Sequence, residues 1–129
     1  MPPLQRRGHA PPLWRSFGFA IRGIVQVFRT ERNFQIHVGA MLVVNVAAWW
    51  RGCTAFEWAV LWLTMGLVLV AEMLNTALEY AIDLLHPDQD PLAGAVKDIA
   101  AGAVLVAALV AVIVAFCILG IPMIRWMVP

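Results

Sequence analysis

Charged residues are scarce in this sequence. Only 13% of its 129 residues are charged, whereas 62% are hydrophobic and the mean hydropathy is +0.80. This balance excludes an ordinary soluble globular domain of this size. Because membrane lipid offers the backbone no hydrogen-bond partners, so apolar a chain is expected to satisfy its backbone polar groups within helices. We therefore predict an all-α integral membrane protein.

Cysteines and nucleotide-binding loops are also sparse or missing. The chain has two cysteines, Cys53 and Cys117, far apart and without a C-x-x-C motif or a His pair, so neither a zinc site nor a disulfide framework is predicted. No G-x-x-x-x-G-K-[ST] motif and no kinase Gly-rich loop occurs, which excludes the phosphate sites of soluble NTPases and protein kinases. An early apolar segment with a cleavage site is missing too, so a removable signal peptide is not expected.

The basic residues are concentrated near the amino terminus, although the net charge is only +1. Such a basic arm suits an anionic membrane surface, so no nucleic-acid partner is predicted. By the positive-inside rule it also places the amino terminus in the cytosol. Six of the nine basic residues precede position 33: Arg6, Arg7, Arg15, Arg22, Arg29 and Arg32.

The hydrophobic pattern predicts one domain over residues 13–122 after a flexible, Pro-rich tail at 1–12. Residues 13–30 have apolar and basic faces at helical spacing, which predicts a surface helix lying on the membrane. Three later segments are long enough to cross the hydrocarbon core. We expect them at about 33–50, 56–85 and 92–121, with the third ending before Pro122, a short tail at 123–129 and a cytosolic loop at 86–91.

Small residues recur on the third predicted transmembrane helix. Ala103, Ala107, Ala111 and Ala115 follow each other at intervals of four and form one narrow face. Such a stripe lets helix backbones approach closely, either within one chain or between copies. Because three thin helices bury little surface by themselves, we expect an oligomer.

One polar stripe interrupts the second predicted transmembrane helix. At about 100° per residue, Glu72, Asn75, Glu79 and Asp83 fall within an arc of roughly 80°. Glu72 lies about 20 Å along the helix axis from Leu85, below the expected cytosolic surface. An ionised carboxylate at that depth costs at least about 2.5 kcal/mol unless it has a partner, a metal ion or a wet cavity, so a functional role is the default interpretation.

Further charged residues are expected at the same cytosolic level. Glu31 precedes the first transmembrane segment, and Lys97 and Asp98 lie just inside the third. These residues can converge with Glu79 and Asp83, leaving Glu72 deeper. Carboxylate oxygens are hard ligands for Mg²⁺, and a lysine supplies a point charge for phosphates. The pattern favours Mg²⁺ and a nucleotide polyphosphate.

Two sequence blocks resemble the small bacterial diacylglycerol kinase family. They are Ala71-Glu72-Met73-Leu74-Asn75-Thr76-Ala77-Leu78-Glu79 and Lys97-Asp98-Ile99-Ala100-Ala101-Gly102-Ala103-Val104-Leu105, with Asp83 between them. The similarity covers about residues 14–120. The segment Glu31-Arg32-Asn33-Phe34 looks more like the Gram-positive branch, whose members are mainly undecaprenol kinases, which favours a polyprenol acceptor. His37 departs from the Gram-negative branch, which has an acidic residue there.

This resemblance implies an ATP- and Mg²⁺-dependent lipid kinase that forms a homotrimer with shared active sites. It makes Glu72 the general base that takes the proton of the lipid hydroxyl. Glu31 and Glu79 match metal-binding carboxylates and nucleotide contacts, and Asn75 matches a group that orients the site. The other matches concern ATP and are Lys97, Asp98, Asp88 and Asp90. Apart from the resemblance, Asp83, Arg15 and Arg22 are further candidates for substrate contacts, and the two arginines also for nucleotide contacts.

Two other classes of protein share parts of this pattern. A small proton-coupled multidrug transporter also uses an intramembrane glutamate in an oligomer, but it usually has four spans and needs neither Lys97 nor Asp98 at one membrane face. A non-catalytic membrane scaffold built on the alanine stripe leaves the polar stripe unexplained. Mg²⁺-dependent ATP consumption that requires an added lipid alcohol distinguishes the kinase from both.

Overall fold

A computed structural model of the chain describes residues 12–85 and 90–127, with side chains described as far as Arg125. Within these ranges every regular element is helical and no strand occurs, so the all-α prediction is confirmed for the described residues. The predicted tail at 1–12 lies outside them except for Pro12. The helices are α1 (Leu13–Thr30), α2 (Arg32–Arg51), α3 (Ala55–Leu85), α4 (Pro91–Ala115) and α5 (Ile121–Met127), and a π-helical turn (Phe116–Gly120) joins the last two.

Two helical segments of the described chain are long and apolar enough to cross a membrane. They are Ala55–Leu85 and the continuous segment Pro91–Arg125. The helix α2 corresponds to the predicted crossing at 33–50, but it carries polar residues at both ends and Asn45 near its middle. Its passage through the membrane therefore stays a prediction.

Local sequence signals explain where α2 ends and α3 begins. Gly52 adopts a left-handed conformation (φ 72°, ψ 51°), and the backbone N–H of Cys53 donates to the Ala48 carbonyl at 3.1 Å, as in a Schellman cap. The Thr54 hydroxyl then accepts from the Glu57 N–H at 3.3 Å, while a Glu57 carboxylate oxygen accepts from the Thr54 N–H at 2.8 Å. This reciprocal capping box fixes the first turn of α3.

The predicted helix end before Pro122 is wrong. The chain continues as a π-helical turn and then as α5 through Met127, so residues 123–127 are helical rather than a tail. In the wide turn the Ile121 N–H donates to the Phe116 carbonyl, five residues earlier. Pro122 then falls in the first turn of α5, where its missing N–H removes no hydrogen bond that a helix needs.

The buried core lies at the end of the bundle where α2 meets α3. Ala48, Leu61, Met65 and Leu119 are buried against one another there. Helices α3 and α4 pack along each other, and α2 packs on α3. Most other large apolar side chains are exposed in the single chain, among them Trp49 and Trp50, as expected for surfaces that face lipid or another subunit.

Candidate functional site

Glu31 occupies the corner between α1 and α2. It is the one extended residue between the two helices (φ −102°, ψ 110°). Its N–H donates to the Val27 carbonyl at 2.8 Å, and its carbonyl accepts from the Gln35 N–H at 3.2 Å. An edge-on contact of Phe28 with Phe34, with ring centroids 6.5 Å apart, packs the two helices beside this corner. The backbone therefore fixes where the Glu31 side chain starts.

Hydroxyl groups from two helices hold the Glu31 carboxylate. The Tyr80 hydroxyl on α3 donates to Oε1 at 3.1 Å, and the Thr30 hydroxyl at the end of α1 donates to the same oxygen at 3.0 Å. The two hydroxyls lie 3.3 Å apart. These contacts tie the corner to α3, the helix that carries the polar stripe.

Glu72 is the most deeply buried charged side chain in the described structure. It is 3% exposed, although it lies in an apolar helix. His37, Glu79 and Glu31 lie close enough to interact electrostatically with its carboxylate, and the Asn33 side chain approaches it. One turn further along, the buried Thr76 donates its hydroxyl to the Glu72 backbone carbonyl at 3.0 Å. Glu72 is therefore buried within the described chain, whereas its depth in the membrane stays a prediction.

Asn75 and Glu79 form a pair on the same face of α3. The Asn75 side-chain N–H donates to Oε1 of Glu79 at 2.8 Å. Its carbonyl oxygen Oδ1 is buried and has no hydrogen-bond partner among the described residues. Because buried polar atoms are usually paired, this oxygen is suited to accept a donor from a bound ligand or water.

Lys97 and Asp83 form an ion pair between α4 and α3. Asp83 lies one turn beyond Glu79, so the pair adjoins the glutamate cluster. Asp98 is exposed, and Asp90 caps α4 through a bond from the Leu92 N–H at 2.7 Å, with Pro91 at the first helical position. Asp88 lies outside the described residues.

The two weak arginine candidates stay on the surface helix. The Arg15 guanidinium lies 5.1 Å from the Trp14 ring centroid, and Arg22 lies 4.6 Å from that of Phe19. Both arginines are exposed. Within this chain these cation–π contacts hold them along α1, and no described contact links them to Glu72.

The structure therefore brings Glu31, Glu72, Glu79 and Asn75 together, with Lys97 and Asp83 one turn away. Sequence reasoning missed Tyr80 and Thr30. Tyr80 lies about 60° outside the arc of the polar stripe and is fifty residues from Thr30 in sequence. Its position directly after Glu79, as the only tyrosine of the chain, was the one available signal.

The carboxylates of this cluster are hard oxygen donors of the kind that Mg²⁺ takes. No three His, Cys, Asp or Glu side chains within residues 12–85 and 90–125 are arranged to hold a metal by themselves. Mg²⁺ usually takes one or two protein carboxylates and fills its shell with water and phosphate oxygens. Glu31 and Glu79 each have Oε1 held by the protein, whereas their Oε2 atoms accept no hydrogen bond from the described residues. Glu31 and Glu79 are therefore the residues that would hold the ion, with water and phosphate oxygens as its other ligands.

An apolar cavity of about 170 Å³ lies between α2, α3 and α4. His37 lines it, and His37 also lies near Glu72. The only other polar residue in its wall is Thr64, whose hydroxyl bonds its own helix at the Val60 and Leu61 carbonyls. The cavity therefore offers apolar space whose His37 wall is near Glu72.

Comparison with known proteins gives consistent matches over most of the chain. Residues 18–119 match the family model described as prokaryotic diacylglycerol kinase. An undecaprenol kinase of Bacillus subtilis is 41% identical over 108 residues, which cover 84% of this chain and 84% of the relative. A diacylglycerol kinase of a Synechocystis species is 46% identical over 120 residues, covering 92% of this chain and 69% of the relative. A diacylglycerol kinase of Escherichia coli is 32% identical over 105 residues, covering 81% and 85%.

Proposed function

This chain belongs to the prokaryotic diacylglycerol kinase family, and we propose that it phosphorylates a membrane lipid alcohol, undecaprenol or diacylglycerol, with ATP and Mg²⁺. The observation that carries the proposal is the buried Glu72 beside Glu31, Glu79 and Asn75 in an otherwise apolar helix. The relatives are named undecaprenol kinase and diacylglycerol kinase. Family membership gives no support to the transporter alternative.

Glu72 is the general base in this proposal. Its carboxylate takes the proton of the lipid hydroxyl while the hydroxyl oxygen forms a bond to the terminal phosphorus of ATP. The bond from that phosphorus to the ADP oxygen breaks, and the lipid phosphate and ADP leave. A lipid hydroxyl lies just below the headgroup plane, so a buried base beneath the phosphates suits an in-line arrangement. The apolar cavity next to His37 offers space for the adjoining carbons of the lipid.

Glu31 and Glu79 hold the metal ion, and Asn75 fixes the orientation of Glu79. When bound, Mg²⁺ and ATP supply the phosphoryl group and the neutralisation of its charge. Lys97 contacts the phosphates after giving up its ion pair with Asp83. Asp98 and the loop acids Asp88 and Asp90 contact the remainder of the nucleotide. The carboxylate oxygens without protein partners on Glu31 and Glu79 support this assignment.

The proposal includes a cytosolic active site in the bacterial inner membrane. The amino-terminal arginines favour a cytosolic amino terminus, and α2 then makes the first of three crossings. The two apolar helical segments α3 and Pro91–Arg125 make the others. Three copies of the chain form a homotrimer in which neighbouring subunits share active sites. Mass measurement in mild detergent tests this assembly: a trimer has about three times the 14.2 kDa of the chain, and a monomeric active enzyme contradicts it.

The defining experiment measures Mg²⁺-dependent transfer of phosphate from ATP to undecaprenol and to diacylglycerol in parallel. The protein is purified in mild detergent, and each lipid is added in mixed micelles. Faster transfer to undecaprenol assigns the enzyme to lipid-carrier phosphorylation, and faster transfer to diacylglycerol assigns it to phosphatidate formation. Folded protein that transfers phosphate to neither lipid refutes the proposal.

A further inference from the structure

Tyr80 and Thr30 form a hydroxyl clamp on Glu31. Both hydroxyls lie within hydrogen-bond distance of Oε1 of the carboxylate, at 3.1 Å from Tyr80 and 3.0 Å from Thr30. The two groups come from different helices, fifty residues apart in sequence. Oε2 of Glu31 accepts no hydrogen bond from the described residues. One oxygen is thus held by the protein, and the other is left for a ligand.

We propose that Tyr80, assisted by Thr30, is a positioning residue that orients Glu31 for binding a divalent cation. The inference rests on the proposed metal role of Glu31 and adds to it the groups that prepare the ligand. A glutamate side chain loses considerable rotamer freedom when it is fixed. A clamp that fixes it before the ion arrives removes that cost from the binding step.

The clamp also connects the elements that carry the two proposed metal-binding carboxylates. Tyr80 follows Glu79 directly on α3, whereas Glu31 lies at the corner between α1 and α2. The Tyr80 to Glu31 bond therefore ties the helix of one carboxylate to the corner that carries the other. Metal affinity depends on such outer partners because they fix the direction of each ligand.

The number of acceptors that compete for each hydroxyl proton indicates which of the two hydroxyls, Tyr80 or Thr30, bonds Glu31 more strongly. The Thr30 hydroxyl has one proton and three acceptors in reach: the Gln26 carbonyl at 3.1 Å, Glu31 Oε1 and the Tyr80 oxygen. The Tyr80 proton has only two, Glu31 Oε1 and the Thr30 oxygen. Phenols are also stronger donors than aliphatic alcohols. Loss of the Tyr80 hydroxyl is therefore expected to loosen Glu31 more than loss of the Thr30 hydroxyl.

The first test measures the affinity of the protein for Mn²⁺, which substitutes for Mg²⁺, in the presence of a non-hydrolysable ATP analogue. Electron paramagnetic resonance gives the concentration of free Mn²⁺. Tyr80→Phe keeps the ring and removes the hydroxyl, and it is expected to weaken Mn²⁺ binding about tenfold. Thr30→Val is expected to weaken Mn²⁺ binding less than Tyr80→Phe does. Thr30→Ser keeps the hydroxyl, so its Mn²⁺ affinity is expected to equal that of the wild type. Ser16→Ala on α1 is the control, because that exposed hydroxyl forms no hydrogen bond with the described residues.

A second readout uses the fact that Tyr80 is the only tyrosine of the chain. Tyrosine labelled with ¹³C at the ring carbon that bears the hydroxyl gives a single resonance in solution. Replacement of Glu31 by Gln is expected to shift it, because a neutral amide is a weaker acceptor than a carboxylate. This measurement leaves the tyrosine itself intact, so it does not depend on the folding of a Tyr80 variant.

Kinetics complete the test. Tyr80→Phe is expected to raise the Mg²⁺ concentration for half-maximal activity, with kcat at saturating Mg²⁺ close to that of the wild type. Equal Mn²⁺ affinity in Tyr80→Phe and wild type, or an unmoved tyrosine resonance in Glu31→Gln, overturns the positioning role alone. Wild-type protein that binds no Mn²⁺ with the nucleotide analogue instead refutes the proposed function, and the clamp with it.

Discussion

Replacement of Glu72 by Gln tests the general base directly. Gln has nearly the same shape as Glu, so a side chain that is 3% exposed is exchanged without leaving a cavity. A carboxamide does not accept the hydroxyl proton, and general bases contribute about 10²- to 10⁴-fold to rates. The nearby Glu31 and Glu79 are each held by hydrogen bonds, so they are poorly placed as substitutes. We therefore expect kcat to fall about a thousandfold, or about 4 kcal/mol in the barrier.

The assay compares kcat for lipid phosphorylation with the Kd of a nucleotide analogue. Because the base acts in the transition state, nucleotide affinity in Glu72→Gln is expected to stay within about threefold of the wild type. Glu57→Gln is the control on the same helix, about 22 Å away along its axis, where Gln still supports the capping box with Thr54. More than a tenth of the wild-type kcat in Glu72→Gln, or an equal loss of kcat in the Glu57→Gln control, contradicts the assignment.

Three further variants test the remaining features. Glu79→Gln is expected to raise the Mg²⁺ requirement about tenfold, because one ligand loses its charge; unchanged Mg²⁺ dependence refutes the metal assignment. Lys97→Met is expected to raise the KM for ATP about tenfold. Asp83→Asn is not expected to raise it, because it removes only the carboxylate that competes with phosphate for Lys97. Equal effects in the two variants refute the phosphate role. Leu61 is 1% exposed in the core, and Leu61→Ala is expected to lower the free energy of unfolding by about 2–5 kcal/mol. Leu63 is 74% exposed, and Leu63→Ala is expected to lower it by far less. Similar losses in reversible unfolding contradict the location of the core.

Much of the helical architecture can be predicted from local sequence. Gly52 marks the end of α2, because a left-handed residue is cheapest without a side chain. Asp90 and Pro91 mark the start of α4 by supplying a capping oxygen and a residue that needs no N–H. Pro122 is the exception, since its effect depends on the turn before it. The π-helical turn before Pro122 is not indicated by the local sequence. Because α5 begins directly after this turn, Pro122 lies in a first helical turn, where proline is tolerated.

Some contacts of the candidate site can likewise be predicted from local sequence, whereas others depend on helix packing. The spacing of Glu72, Asn75 and Glu79 is a property of helix geometry, so their shared face follows from the sequence once α3 is recognised. The bond from Asn75 to Glu79 is likewise a contact over one turn. The partner of Lys97 is different, because Asp83 lies on another helix, and the register of α3 against α4 decides whether they meet.

Composition and periodicity thus determined that this chain is helical and has the apolar composition of a membrane protein. They also determined that it carries a polar stripe on an apolar helix, where an ionised side chain has a high free-energy cost. These properties depend on neighbours within one or two turns, which the sequence displays. Only the tertiary structure decided that Tyr80 reaches Glu31, that Thr30 joins them and that Glu72 is closed off from solvent. Contacts between residues fifty positions apart depend on how whole helices pack, and helix packing is set by the sum of many weak side-chain contacts rather than by any local motif.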